Sequence, residues 1–371
     1  MRQLYKTFFI ILFSYLLCYP FDTVEGNDSI IKTSHSENNL PRLRGVMIKP
    51  DSFTAEDLKV IAGEWKANHL RWQFLWDGFP NSPADDATID EYNVWIDRQC
   101  EQLDKMLPEL ERNGVRIALD LHTPPGGRYN QDKGFAMRLF NVKQFQDAFI
   151  VTWKKLAHKY KDSKAVWGYD ILNEPAEDML EEGLMNWREL ALKTAKEIRM
   201  IDTVKAVIVQ PSSWANPNAL EWFEPFDPKE ISNVIYSVHI YLPHSFTHQG
   251  VYDDESMWVY PGIMSDGKFW DKSQIRNSLQ VVSDFANNNN VAIYIGEFGS
   301  IRWAPENSTY RYLKNCIEIF EEKGWDWAYH AFREWNGWSV EHSTDKNDNN
   351  RVAEPTDREL LLRSWFEKNE R

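Results

Sequence analysis

Positive charge is scarce in this chain of 371 residues: 42 Lys and Arg stand against 56 Asp and Glu, a formal net charge of −14. Nucleic acids and anionic membrane surfaces bind through clustered Lys and Arg, so neither is an expected partner, and a neutral or cationic substrate fits better. Cysteine is scarcer still, at three residues. Also missing is a glycine-rich phosphate loop after the first strand-like run, which counts against a doubly wound nucleotide-binding sheet. The apolar run in "MRQLYKTFFIILFSYLLCY" is too short for a membrane span. Preceded by Arg2 and Lys6, it reads as a signal peptide cleaved between Cys18 and Asn27, and hence as export. "SYLLC" resembles a bacterial lipoprotein box, but Leu16 and Leu17 fill positions that prefer smaller residues.

Apolar residues make up 43% of the chain, ample for a core, and 17 Trp, 20 Phe and 15 Tyr exceed what a core alone would ask for. Some of these rings are expected to face a ligand. The organisation expected is a signal peptide over 1–26, a flexible polar segment over 27–41 and one catalytic domain over 42–371. Sequons at Asn27 and Asn307 would accept glycans in a eukaryotic host.

Within that domain, "LRGVMI", "HLRWQF", "VRIALDLH", "VWGYDILNE", "VKAVIVQPS", "NVIYSVHIY", "VAIYIGEFG" and "WDWAYHAFRE" are short, apolar and rich in β-branched or aromatic residues. Strands buried on both faces read this way. Between them helices are expected over Asp90 to Asn113, Val142 to Tyr160, Met179 to Ile201, Asp271 to Asn289 and Glu306 to Lys323, with Leu360 to Glu367 at the end and Thr54 capping a short helix. Eight such alternations define an α/β fold of the (β/α)8, or TIM barrel, type. That layout sets Cys100 and Cys316 on helices three places apart around the ring, so two free thiols are expected although two cysteines would suffice for one disulfide.

Active sites of such barrels lie at the C-terminal strand ends. Those ends carry Arg71, His122, Asn173 with Glu174, His239 with Tyr241, and Glu297, with Trp335 just beyond the eighth. Glu174 and Glu297 can face each other across the mouth, and two carboxylates across a cleft are the minimum for glycoside hydrolysis. The acid must be protonated and its partner ionised; Arg71 and Tyr241 would keep Glu297 ionised, and that charge would raise the pKa of Glu174. Single-residue alternatives stay open. Arg71 could pair with a structural acid such as Asp120, His122 and His239 could be core histidines or metal ligands, and Tyr241 could be packing.

Together, "ILNEP", "IGEFG", "HIY", "DLH" and Arg71 resemble glycoside hydrolase family 5, the cellulase-type retaining enzymes, from about Arg42 to the C-terminus. The resemblance implies Glu174 as acid/base and Glu297 as nucleophile, with Asn173 on the sugar 2-hydroxyl. It also implies His122 and His239 holding the sugar and the acid/base, Arg71 and Tyr241 holding the nucleophile, and no cofactor or metal. One departure stands out: where many members carry Trp near the end of the eighth strand, this chain has His330, and Trp335 would supply the sugar platform instead. Trp72, Trp76, Trp214, Trp258, Trp303 and Trp338 are further candidates, and the long segment after the sixth strand would wall the cleft.

The expected function is therefore a secreted, monomeric, retaining β-glycosidase acting on an oligo- or polysaccharide, first an endo-β-1,4-glucanase. A β-mannanase or exo-acting β-glucosidase are the alternatives within the family. A metal-dependent barrel hydrolase or a non-catalytic carbohydrate-binding protein are those outside it. A retaining enzyme would place its carboxyl groups about 5 to 5.5 Å apart.

Overall fold

The computed structural model describes residues 41–76, 82–128, 137–177, 180–252 and 257–369. The signal peptide and the sequon at Asn27 lie outside them, as does all but the last residue of the polar segment. Eight parallel strands close into a barrel: β1 Arg44–Ile48, β2 His69–Gln73, β3 Arg116–Asp120, β4 Val166–Asp170, β5 Ala206–Val209, β6 Val234–Ile240, β7 Ala292–Phe298 and β8 Asp326–Phe332. Each strand pairs with its sequence neighbours, and β1 closes on β8. All eight expected strands are present, each shorter than the run that announced it.

Alternation along β2 shows how such a strand reads as uninterrupted burial. His69, Arg71 and Gln73 point inward, while Leu70 and Trp72 join the apolar layer beneath the helices. Low in the barrel, Leu43, Ala118, Trp167, Ala206, Ile208, Ile235, Tyr294 and Ala328 form a separate apolar cluster. His69 sits against it, bonded to the Tyr294 hydroxyl at 2.8 Å and to Arg116 O at 3.1 Å. Burial pushes its pKa down to about 4, so it is neutral there.

The surrounding helices are α1 Ala55–Leu58, α2 Ile89–Arg112, α3 Lys143–Tyr160, α4 Trp187–Arg199, α5 His244–Thr247, α6 Lys272–Ser278, α7 Gln280–Asn289, α8 Ser308–Lys323 and α9 Asp357–Phe366. Thr54 caps α1 through a capping box with Asp57, and Thr88 and Asn186 cap α2 and α4 in the same way. Two expected helices differ. The one predicted from Met179, a position outside the described residues, is found from Trp187 onward, where Asn186 supplies the cap. That predicted over Asp271 to Asn289 divides at Leu279 into α6 and α7.

Cys100 and Cys316 are free and buried, in α2 and α8. No described helix is long and apolar enough to cross a membrane. After β8, the loop around residues 336–348 wraps its backbone round Arg302. The five guanidinium donors of this buried side chain reach the carbonyls of Asn336, Ser343, Asp345, Lys346 and Asp348.

Candidate active site

Arg71 is the hub of the barrel mouth. Fully buried, it reaches Asp120 at 3.0 Å, Asp170 at 2.9 Å, Asn173 Oδ1 at 2.9 Å and Glu297 Oε1 at 2.6 Å. The two readings of Arg71 thus hold together: it partners the structural acids and the strand-seven glutamate at once. One cation among three buried carboxylates cannot keep all of them ionised, and burial pushes Asp120 up to about 7 and Asp170 up to about 6.

Glu297 reaches the axis through an irregularity in β7. Ile295 to Phe298 spans three steps where β8 spans two, Trp327 to Tyr329, and β6 shows the same offset between Val238 and His239. One residue has been inserted at Gly296–Glu297, and a bulge of this kind re-aims the side chain after it. Gly296 is needed there because a Cβ would lie 2.7 Å from Ser237 Oγ and 3.0 Å from His239 Nε2. Tyr241 donates to Glu297 Oε2 at 2.8 Å. Burial works to raise the Glu297 pKa, but His239, His330, Arg71 and His122 outweigh it and hold the carboxyl well below the usual range.

Glu174 stands at the end of the turn after β4 with φ +45°, a strained value for a residue with a side chain, and its N–H is held by Gln210 Oε1 at 2.8 Å. Gln210 in turn donates to Asp170 at 2.9 Å. Both oxygens of the Glu174 carboxylate are engaged: Oε1 faces His239 Nδ1 at 2.8 Å and Oε2 accepts from Arg128 Nη2 at 3.2 Å. The expected rise in its pKa is not found. Burial and Glu297 push upward, but the His239 hydrogen bond and the charges of His239 and Arg128 prevail, and the carboxyl lies below its ordinary value. The ordering survives, since Glu297 is the more strongly depressed of the two.

His122 donates from Nδ1 to Asp120 Oδ2 at 2.8 Å and accepts at Nε2 from the Asn173 amide at 3.1 Å. That tautomer follows from the network and agrees with a pKa that burial pushes down to about 3. Tyr241 has a single proton, which goes to Glu297. His330 Nδ1, in close contact with the same hydroxyl, must therefore donate, while its Nε2 lies 3.5 Å from Glu334 Oε2. Burial opposes a charge on this ring, but Glu297 and Glu334 raise the His330 pKa above its ordinary value.

A cleft of about 710 Å³ opens above this network, lined by Trp76, His122, Arg128, Glu174, Trp214, His239, Tyr241 and Glu334 among others. The segment after β6 contributes Leu242, His244, His248 and Tyr252 to its wall, as expected for that stretch. Of the remaining tryptophans, Trp72, Trp303 and Trp338 are packed in the core and Trp258 is partly buried. Trp335 is not among the cleft residues. It packs edge-on against Trp303 and Trp338, at 5.9 and 5.6 Å, beside a shallower pocket that shares Glu334 with the cleft. Arg128, Asp170, Gln210, His330 and Glu334 were not among the expected site residues. A buried Asp within "WGYD" was the one signal pointing to Asp170, because a buried carboxylate needs a partner.

One oxygen of Glu174, one of Glu297 and a ring nitrogen of His239 lie within 4.8 Å of one another, a spacing that three metal ligands also show. Arg71, Arg128 and the His330 ring contact the same two carboxylates, and a divalent cation would have to sit beside the two guanidinium charges. His122 is outside the group, with both nitrogens already bonded.

The sequence model for cellulase, glycosyl hydrolase family 5, matches residues 30–336. Endoglucanase C of Acetivibrio thermocellus is 26% identical over 297 residues, covering 73% of this chain and 82% of the relative. Cellodextrinase A of Ruminococcus flavefaciens is 24% identical over 284 residues, covering 74% and 77%. Among solved structures, a glycoside hydrolase superposes with a TM-score of 0.68 at 22% identity, covering 88% of this chain and 99% of that one. Endoglucanase Cel5A from Thermotoga maritima gives 0.63 at 24% identity, covering 86% and 96%; at such identity these likenesses speak for the barrel alone. The family match, spanning most of the chain and both glutamates, makes this protein a glycoside hydrolase of family 5.

Proposed function

We propose that the chain hydrolyses β-glycosidic bonds with retention of configuration, by double displacement, on a β-1,4-glucan. The carrying observation is the pair Glu174 and Glu297, with oxygens within 4.8 Å and in contrasting company. A retaining pair needs about 5 to 5.5 Å between carboxyl groups, whereas an inverting pair needs about 6.5 to 9.5 Å to admit a water. Glu297, deprotonated by its cationic neighbours, attacks the anomeric carbon. The glycosidic bond breaks and the leaving oxygen takes a proton from Glu174. Water then attacks the glycosyl ester, gives its proton to Glu174 and releases Glu297.

The proton needed in the first step comes from Glu174, whose Oε1 faces His239 Nδ1 at 2.8 Å. Asn173, oriented by Arg71 and His122, presents its amide to the 2-hydroxyl, a contact that strengthens in an oxocarbenium-like transition state. Trp76 and Trp214 offer ring faces within the cleft, and Trp335 offers one beyond Glu334. The relatives' names favour glucan over mannan, and an open wall-lined cleft favours internal cleavage.

Activity on a panel of soluble β-glucans and mannans, with proton NMR of the first products, tests the reading: β-configured reducing ends support it and α-configured ends overturn it. Azide separates the two roles. It should rescue Glu174→Ala on a substrate with a good leaving group to give a β-glycosyl azide, and Glu297→Gly to give the α-product. The reverse pattern would exchange the assignments.

A further inference from the structure

The cleft contains a third carboxylate that this two-glutamate reaction does not use. Glu334 follows β8 by two residues and is part of the cleft lining. One of its oxygens is fixed: Oε2 accepts from the buried Gln73 amide at 2.8 Å and lies 3.5 Å from His330 Nε2. Oε1 makes no hydrogen bond to any described residue. Burial works to raise the Glu334 pKa, but His330, His122 and Gln73 hold it below the ordinary range, so the group is an anion with one anchored and one uncommitted oxygen. An ionised carboxylate accepts hydrogen bonds and donates none.

Its place relative to a substrate follows from the order of strands. Glu297 on β7 has β6 on one side and β8 on the other. His239 of β6 joins Glu297 to the acid/base, Glu174. His330 of β8 joins it to Glu334, with Nδ1 3.5 Å from Glu297 Oε2 and Nε2 3.5 Å from Glu334 Oε2. The leaving oxygen must lie at Glu174 and the anomeric carbon at Glu297. The ring being transferred therefore extends away from Glu174, over His330 toward Glu334.

We propose that Glu334 determines specificity for that ring: its Oε1 accepts from one of the ring's free hydroxyls, so the site takes neutral sugars bearing that hydroxyl and rejects rings that carry a carboxylate. The proposal rests on the assignment of Glu174 and Glu297 above. It also gives the His330 departure a chemical sense, because an imidazole has a second ring nitrogen that an indole lacks, and here Nε2 faces the Glu334 carboxylate. Removing one hydroxyl from a site built to accept from it leaves the acceptor unmatched, which is how polar sites discriminate strongly.

The test uses the full enzyme with aryl β-glucosides and aryl β-cellobiosides deoxygenated at one position of the ring bearing the aryl group, together with the corresponding glucuronide. The wild type should lose about 10- to 100-fold in kcat/KM on one deoxy analogue other than the 2-deoxy sugar, as expected for a hydrogen bond to a charged group. Glu334→Gln should lose a comparable factor on the parent but little more on that analogue, and its preference for glucoside over glucuronide should shrink. An equal loss on every analogue would mean that Glu334 serves only to hold His330, and would overturn the proposal. Should Glu334→Gln fail to fold, the wild-type series still decides, because a wild type indifferent to every hydroxyl but the 2-hydroxyl has no such reader. A wild type inactive on all parents fails earlier, at the glycosidase reading itself, and is distinguishable on that ground.

Discussion

Arg128 touches the one oxygen of Glu174 that His239 leaves, so this carboxylate, the proposed acid, is held from both sides. Replacing it by Met removes a cation that favours the ionised form, so the Glu174 pKa should rise. The alkaline limb of kcat/KM against pH, which reports the acid of the free enzyme, should then move to higher pH, and by less at high salt because Arg128 is partly exposed. An unmoved limb would remove Arg128 from the acid's environment. Single residues were legible in the sequence where an apolar run ended on a polar group: Arg71, His122, Asn173, Glu174, His239, Tyr241 and Glu297 all meet at the barrel mouth. Arg128 was not, because a Gly-Gly-Arg turn after β3 carries no sign of where its guanidinium goes. Nor could the sequence show that Glu174 would have both oxygens engaged, and that is why the expected upward shift of its pKa came out reversed.

Among the elements, β7 shows what a pattern of alternation cannot reveal. Strict period two would put Gly296 and Phe298 on one face and Glu297 on the other; the inserted residue turns Glu297 inward and leaves Phe298 in the outer layer. Gly296→Ala should push the His239 ring and the Ser237 hydroxyl, costing about 1 to 3 kcal/mol of stability by overpacking. It should lower kcat/KM as well, because that ring carries the contact to Glu174. Urea denaturation read beside kinetics checks both, and a full loss of stability with unchanged kinetics would show that His239 had not moved. Helix boundaries were the least legible elements. The break at Leu279 leaves no proline or glycine in the sequence to announce it, whereas the Thr54 cap was readable from its own hydroxyl. In the loop after β8, Arg302→Met should cost about 2 to 5 kcal/mol and open residues 336–348 to proteolysis, because five carbonyls lose one buried cation. Unaltered cleavage kinetics there would show that the loop holds itself.

For the whole molecule, the eight-fold alternation was the strongest message in the sequence, because a parallel barrel makes every strand a buried apolar run and every connection a helix. The closure of that barrel and the chemistry at its mouth are one construction, since Arg71 ties groups on or just beyond β2, β3, β4 and β7 together. Proton transfer and nucleophile are both carboxylate functions in the proposed reaction, so exhaustive chelation should leave the rate on a soluble β-glucan unchanged. A loss restored by zinc would instead assign Glu174, His239 and Glu297 to a metal. The cradle around Arg302 carries the same independence into the physical stability of the fold. A loop whose carbonyls converge on a free ion is only as ordered as the surrounding ion concentration allows, by mass action. Here the cation is joined to the chain by covalent bonds, so its local concentration is fixed by the fold and no dilution or competing ligand can carry it away. Melting temperature should accordingly stay flat across a calcium titration, leaving the loop indifferent to the mineral content of its surroundings.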